Sequence, residues 1–509
     1  MRVLRSETNL RGSEAQRFFF WLISEFSVSL RFVSSLRFVR SLLLPLACLL
    51  ILTTSAHAQP VKGLTAAPQL ANVYDAIFDA RFEDVPTLLA QTCPPAPREA
   101  CQLLDVISLW WQIQLDPQSR AHDAVFQSKV EAAIAAAEAW TTREPQRAEA
   151  WFYLGGAYGA RVQWRVLRDE HLAAARDGKR IKASLEQALE LDPDMHDAYF
   201  GIGLYHYYAD VAPAAAKVMR WLLALPGGDR DQGMAQMLRA RDRGRLLRDE
   251  ADYQLQILYV WYEEQPEKAI DILEALRDRH PRNPHFQQTI ADIEDRYLFD
   301  NNASLRSYQA LLAAARANRV VEPAMVTTAA RLGIARQLVQ LFETDKAMEL
   351  LRIIVDSKPA APAGALTRAQ RQLREARERL AAPAYRLSLE GWRALERGEL
   401  DQASRLLTQS LSLRPDDSLT RYRYARLLLA QHREEDALVA FAEIHKRHDE
   451  TPPVIYTLAC VDAARVQERK GATTIAMDLY RSATTVFGGD RRMKDEARRQ
   501  FARLNAAAR

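Results

Sequence analysis

Glycine is scarce in this chain, 19 of 509 residues, about half the ~7% usual in globular proteins. Few turns can therefore depend on a left-handed backbone, and long helices with short connections suit that shortage. An excess of one charge is also missing from most of the chain. The net charge of +4 lies in residues 1–58, which hold seven Arg, no Lys and three Glu; the remaining 62 basic and 62 acidic residues cancel. A balanced chain has no global electrostatic reason to bind nucleic acid, whose affinity rests largely on phosphate neutralisation. Cysteine is limited to four residues with no Cys-x-x-Cys pair, which argues against a catalytic dithiol or a cysteine-rich metal site. Also absent are Gly-x-Ser-x-Gly, His-Glu-x-x-His and a dinucleotide-binding glycine fingerprint after a strand, so no reaction centre assembles from motifs and no cofactor is expected.

What is present is a repeated spacing. A proline closes a segment in which the residues twelve, eight and five places earlier are small or apolar. The sets are Ala133/Ala137/Trp140 before Pro145, Ile181/Leu185/Ala188 before Pro193, Ala269/Leu273/Leu276 before Pro281, Ala347/Leu351/Ile354 before Pro359 and Ala403/Leu407/Ser410 before Pro415. These offsets share one face of a helix, and the proline ends it. Six residues after two of the prolines come Trp151 and Tyr199, each opening a further helix. Two-helix units recurring in this way predict an α-solenoid.

Trp151-x-x-Leu154-Gly155-x-x-Tyr158, followed by Ile181, Leu185, Ala188 and Pro193, resembles the two-helix signature of the tetratricopeptide repeat. Tyr199, Ile202 and Gly203 restart the pattern, with His206 where a tyrosine is usual. Later copies carry Gly391, Gly398, Ala403, Leu407 and Pro415; Ala437, Phe441 and Ile444; and Gly471, Ala476, Tyr480 and Ala483. The resemblance implies an all-α fold, a solenoid of helix pairs forming a right-handed superhelix, that binds a protein or peptide in its concave groove without catalysis. About fourteen residues beyond a standard repeat lie between Tyr158 and Ile181. They are expected to lengthen both helices by about four turns, with the charged stretch Arg161–Arg176 projecting beyond the stack.

The expected organisation has four parts. Residues 1–58 form a signal peptide with an extended N-terminal region, and 59–358 a divergent solenoid. Residues 359–383 form a joint and charged helix, and 384–509 a C-terminal repeat segment. In the first part, Arg31, Arg37 and Arg40 precede an apolar run from Leu42 to Leu52 and the small-x-small site Ala56-His57-Ala58. These are the parts of a secretory leader cleaved after Ala58, and the run is short for a membrane span; retention as an anchor is the rival reading. The expected location is periplasmic or exported, with possible association with the envelope. Cys93 and Cys101 flank a proline-rich turn, where an oxidising compartment favours a disulfide contributing roughly 2–3 kcal/mol.

Register assigns a second stripe of each first helix to the concave groove: Phe152, Gly156 and Gly159, then Phe200, Leu204 and Tyr207, then Gln254, Leu258 and Trp261. Two glycines beside aromatics would leave an apolar trough for a peptide or helix. The competing expectation is that the superhelix closes and these residues pack together. An envelope-assembly factor gripping apolar client segments is the second functional reading. An enzyme or metal protein using His206, Tyr207 and Asp210 is the third. His445-x-x-His448 is the better-spaced metal candidate, but a solvated helix end, where cationic side chains suit the dipole, is the expected reading. Pro226-Gly-Gly-Asp-Arg230 and Phe487-Gly-Gly-Asp-Arg491 read as matched helix junctions rather than phosphate cradles.

Overall fold

The proline-closed segments form helices that stop two residues before the proline. The computed structural model describes residues 59–211, 227–357 and 362–507, and among these are 22 helices in sequential pairs, with no strand beyond one isolated bridge. Helix α4 (Asp123–Arg143) ends before Pro145, α6 (His171–Leu191) before Pro193, α10 (Pro266–Arg279) before Pro281 and α17 (Leu400–Leu413) before Pro415. Pro359 lies outside the described residues. The small residues at the repeated offsets are core: Ala188, Ala269, Leu273, Leu276, Ala347, Leu351, Ala403, Leu407 and Ser410 are fully buried. Helices pair closely where the repeat places glycine. A Cβ on Gly155 would come within 2.8 Å of Leu185, and one on Gly391 within 2.8 Å of Leu407.

The chain divides into two compact units, one ending at Leu255 and the next beginning at Gln256. This division lies within a helix and well before the segment change expected near residue 358. The first unit holds α1 (Ala67–Phe78), α2 (Val85–Thr92), α3 (Arg98–Leu115), α4, α5 (Ala148–Leu167), α6, α7 (Ala198–Val211) and α8 (Arg230–Arg243), and α9 (Arg248–Trp261) begins in it. Its N-terminal segment is laced down by backbone. Val61 exchanges hydrogen bonds with Gln146 and Ala148 at 2.9 and 3.1 Å, Gly63 donates to Asp192 at 2.8 Å, and Thr65 donates to Glu149 at 2.8 Å.

The extra residues do lengthen α5 and α6, to 20 and 21 residues. Asp169, Glu170 and Arg176 are exposed, but the charge nearest the start of the stretch turns inward. Arg161 is 7% exposed and Asp177 2%, joined by two hydrogen bonds of 2.7 and 2.8 Å, and Arg161 also reaches Glu131 at 2.6 Å. Burial works against the Arg161 charge, but Asp177 and Glu131 raise its pKa overall. A charge with internal partners can enter a core, and that is why the expected projection fails at Arg161.

The second unit continues through α10, α11 (Pro284–Arg296), α12 (Asn301–Arg316), α13 (Pro323–Gln340), α14 (Thr344–Val355), α15 (Ala363–Ala381), α16 (Pro383–Glu396), α17, α18 (Ser418–Ala430), α19 (Glu434–Lys446), α20 (Pro453–Arg469), α21 (Thr473–Thr485) and α22 (Arg491–Ala507). The charged helix α15 packs as a member of the stack. Its Ala365, Ala369, Leu373 and Ala376 share a core with Leu332, Ala347, Leu351 and Ile354. Small residues every three or four positions give α15 an apolar seam that its arginines mask in the sequence. The unit's last connection returns to its early part: Gly489 donates to the Phe299 carbonyl at 3.1 Å, and the Arg491 amide donates to Asp300 at 2.7 Å.

Candidate interaction groove

The inner stripe of the first unit is carried by α5 and α7 and by the part of α9 up to Leu255. On α5, Phe152 is 5% exposed and its ring meets that of Tyr153 at 5.1 Å. Gly156 is half-buried, with Leu103 of α3 where its side chain would stand: a Cβ there would approach Leu103 to 2.8 Å. Gly159 differs, for a Cβ on it would meet nothing within 4 Å. On α7, Phe200 and Leu204 are half-buried, whereas Tyr207 is fully buried, its ring edge-on to Tyr208 at 5.9 Å. Gln254 on α9 is half-buried. Phe152 and Tyr207 are therefore core; Gly159, Phe200, Leu204 and Gln254 retain access. Leu258 is fully buried and Trp261 is 52% exposed, both in the second unit.

The sequence reading missed a long-range aromatic contact between α3 and α9. Trp111 of α3 is 1% exposed and lies between Phe78 and Tyr253, with ring centroids at 4.7 and 5.1 Å. Residues 142 positions apart thus meet inside one unit. The adjacent Trp110-Trp111 was the available signal, since two large rings in succession need two packing surfaces. Beside them sits Glu250, 5% exposed, whose carboxyl burial pushes up to about 7 while hydrogen bonds from Gln254 and Gln163 oppose the shift. Burial and the negative charges of Glu250, Asp197 and Asp249 hold the Tyr74 hydroxyl pKa well above its usual value. Asp197 is fixed in place by the amides of Arg245, Leu246 and Leu247 at 2.8–2.9 Å, which open α9.

The polar cluster expected around α7 does not converge. His206 Nδ1 pairs with Gln236 Oε1 at 2.9 Å, and Asp210 accepts from the Arg230 amide at 3.2 Å. Both serve the contact between α7 and α8, while Tyr207 is sealed in the core. His445 faces Tyr456 and Cys460, at 3.1 and 3.6 Å, but His448 turns out to Asp449 at 3.1 Å. Among the described residues no three His, Cys, Asp or Glu side chains lie together as a metal site. Burial pushes the Cys460 thiol up to about 12, so it is no ready nucleophile. Cys93 and Cys101 form a disulfide with Cα atoms 6.5 Å apart.

The two Gly-Gly-Asp-Arg junctions behave alike. Asp229 caps α8 by accepting from Gln232 at 2.8 Å, and Asp490 caps α22 by accepting from Met493 at 3.1 Å. In each, the next residue's amide is taken by a carboxylate from elsewhere, Asp210 or Asp300. The helix N-termini are satisfied by aspartates where an anion would have to sit.

Two family models, each described as a tetratricopeptide repeat, match residues 119–161 and 394–459. These stretches cover the α4–α5 junction and the pairs from the end of α16 through α20, where the helix lengths, close glycine contacts and closing prolines have just been described. Those two stretches are tetratricopeptide repeats. No curated relative matches the sequence. Among solved structures, the repeat domain of P58(IPK) is similar at 11% identity, covering 80% of this chain and 99% of that one, with a TM-score of 0.27. A Rap protein complexed with competence and sporulation factor gives 13% identity, 86% and 99% coverage and a TM-score of 0.28. The TPR2AB domain of yeast Sti1 in complex with pHSP90 gives 14%, 51%, 98% and 0.21. None of these values is high enough to carry a partner or ligand across. Tetratricopeptide repeats imply an interaction scaffold for protein partners, and no described helix is long and apolar enough to cross a membrane.

Proposed function

We propose that this scaffold is exported and holds an extended peptide segment of a partner along the inner stripe of its first unit, with no catalysis of its own. One observation carries the reading. Phe200, Leu204 and Gln254 stay half-buried and the space beside Gly159 is open, while Leu103 fills the place beside Gly156. A helix about 10 Å across needs a wide trough, whereas an extended strand needs room for alternate side chains only. Export rests on the leader-like residues 1–58, which lie outside the described residues, and on the disulfide, which suits an oxidising compartment.

A photo-crosslinking residue at Leu204, introduced in cells, tests the groove. The expected outcome is one partner band that disappears in Gly159→Leu, which fills the open space without backbone strain. A band set unchanged by Gly159→Leu would sink the groove. Mass spectrometry of the purified protein is expected to find Gln59 at the N-terminus.

A further inference from the structure

Large apolar side chains on the described surface gather in the second unit. Trp261, Tyr297, Phe299 and Phe487 are 52%, 38%, 40% and 74% exposed. They are linked in sequence and space. The Trp261 side chain opposes the burial that raises the Tyr297 hydroxyl pKa, Tyr297 and Phe299 share the turn between α11 and α12, and Phe299 meets Phe487 at a centroid distance of 5.4 Å. The Gly489 amide bond to the Phe299 carbonyl pins the two turns together.

Phe299 bears a cost for its place. Its φ of 52° is left-handed, where a bulky residue is strained by about 1–3 kcal/mol. Left-handed positions after other helices are held by Gly398 and Gly471, at φ 78° and 76°, or by the polar Glu264, Asn318 and His432. Phe342 occupies the same conformation after α13, at φ 64°, but its ring packs against a core cluster. Phe299 has no comparable burial, so packing does not account for a phenylalanine there.

We propose that the turns at 297–300 and 486–490 form one aromatic edge that seats on an anionic lipid surface. Charge selects the occupant. Arg491 and Arg492 are exposed beside Phe487 and pair with no carboxylate among the described residues, whereas Arg498 and Arg503 further along α22 pair with Asp495 and Glu468. Unpaired cations four and five residues beyond Phe487, on a turn joined to Phe299, match the interfacial layer of a bilayer, where aromatic rings lie at headgroup depth and arginine meets lipid phosphate. A peptide-binding site would instead sink its rings into a groove.

Vesicle co-sedimentation with the full chain tests this, using phosphatidylcholine vesicles with and without 30% phosphatidylglycerol. Residues 1–58 are common to native and variant chains, so differences report on the edge. Native protein is expected to prefer the anionic vesicles, less so at high salt. Arg491→Gln/Arg492→Gln is expected to weaken that binding about thirtyfold, about fivefold per cation. Phe299→Gly/Phe487→Ser is expected to abolish it with the thermal midpoint kept or raised, because glycine relieves the backbone at 299. Equal binding by all three chains, or no binding by any, overturns the proposal. So does native self-association in sedimentation velocity that the aromatic variant abolishes, because the edge would then serve a second copy.

Discussion

The Tyr199 hydroxyl donates a hydrogen bond to the Pro193 carbonyl, six residues earlier, at 3.1 Å. Trp151 does the same to Pro145 through its indole N–H at 2.9 Å, and the guanidinium of Arg421 reaches the carbonyl of Pro415. The proline ends one helix, its carbonyl is left without an intrahelical donor, and the residue six places on supplies one from the first turn of the next helix. A spacing noticed as punctuation is thus also a clamp across the inter-repeat turn.

Trp151→Leu and Tyr199→Phe are expected to lower stability through the lost bond, by about 0.5–1.5 kcal/mol for Tyr199→Phe, where the ring is kept. Chemical denaturation should show a lower midpoint with unchanged slope. Both bonds lie at the surface, so water replaces the donor and the loss should sit at the low end.

The buried ion network between the lengthened helices should be far more sensitive. Asp177 accepts from both Arg161 and Arg165, and removing it takes the buried carboxylate from two guanidinium groups, leaving the buried Arg161 with only the more exposed Glu131. Asp177→Ala is expected to cost about 3–5 kcal/mol. Arg161→Met/Asp177→Leu, which removes the central pair together, should cost much less. Urea unfolding of the two variants decides this, and equal losses would mean that packing rather than uncompensated charge sets the cost.

How much was legible follows from the kind of contact. Helix ends, the buried faces at the five repeated offsets and the close Gly155–Leu185 and Gly391–Leu407 approaches are local or one repeat apart, and periodicity reports them. The placement of Trp111 against Tyr253 joins residues far apart in the chain, and nothing in the spacing encodes it. Charge misled twice for one reason: Arg161 was read as solvated and α15 as a joint, yet Asp177 partners the first and an alanine seam buries the second. Phe152 and Tyr207 were read as groove residues from register alone, and register cannot say which other helix covers a stripe.

Glu250 supplies a pH dependence whose sign can be worked out. Its carboxyl titrates at about 7 in the folded protein, against about 4.3 in an unfolded chain. The folded state therefore holds the proton more tightly, and the stabilisation is full below pH ~4.3 and is lost as pH rises through 7. The loss amounts to roughly 4 kcal/mol, at 1.36 kcal/mol per pKa unit. Glu250→Gln should remove this dependence, so the native-minus-variant difference in denaturation midpoint should fall between pH 5 and 8. A difference that is flat over that range would mean that Glu250 is solvated.

Asp300 ties together the start of α12 and the start of α22. One carboxylate oxygen accepts from the Ala303 amide at 2.9 Å and the other from the Arg491 amide at 2.7 Å. Asp300→Ala removes both bonds, and a helix cap alone is worth about 0.5–2 kcal/mol. The second bond joins residues 191 positions apart, so the loss should fall unevenly. Hydrogen exchange is the measurement that separates the two effects. Amides at the start of α12 should exchange faster by about tenfold, as a lost cap of ~1.4 kcal/mol requires. Those of Gly489 and Arg491 should lose protection further, because their acceptors lie on the turn that Asp300 anchors. Asn in place of Asp300 keeps an oxygen for only one of the two amides, and should preserve the cap while releasing α22. If Asp300→Asn exchanges like native protein at both helices, the tie between the turns rests on the Gly489–Phe299 backbone bond alone.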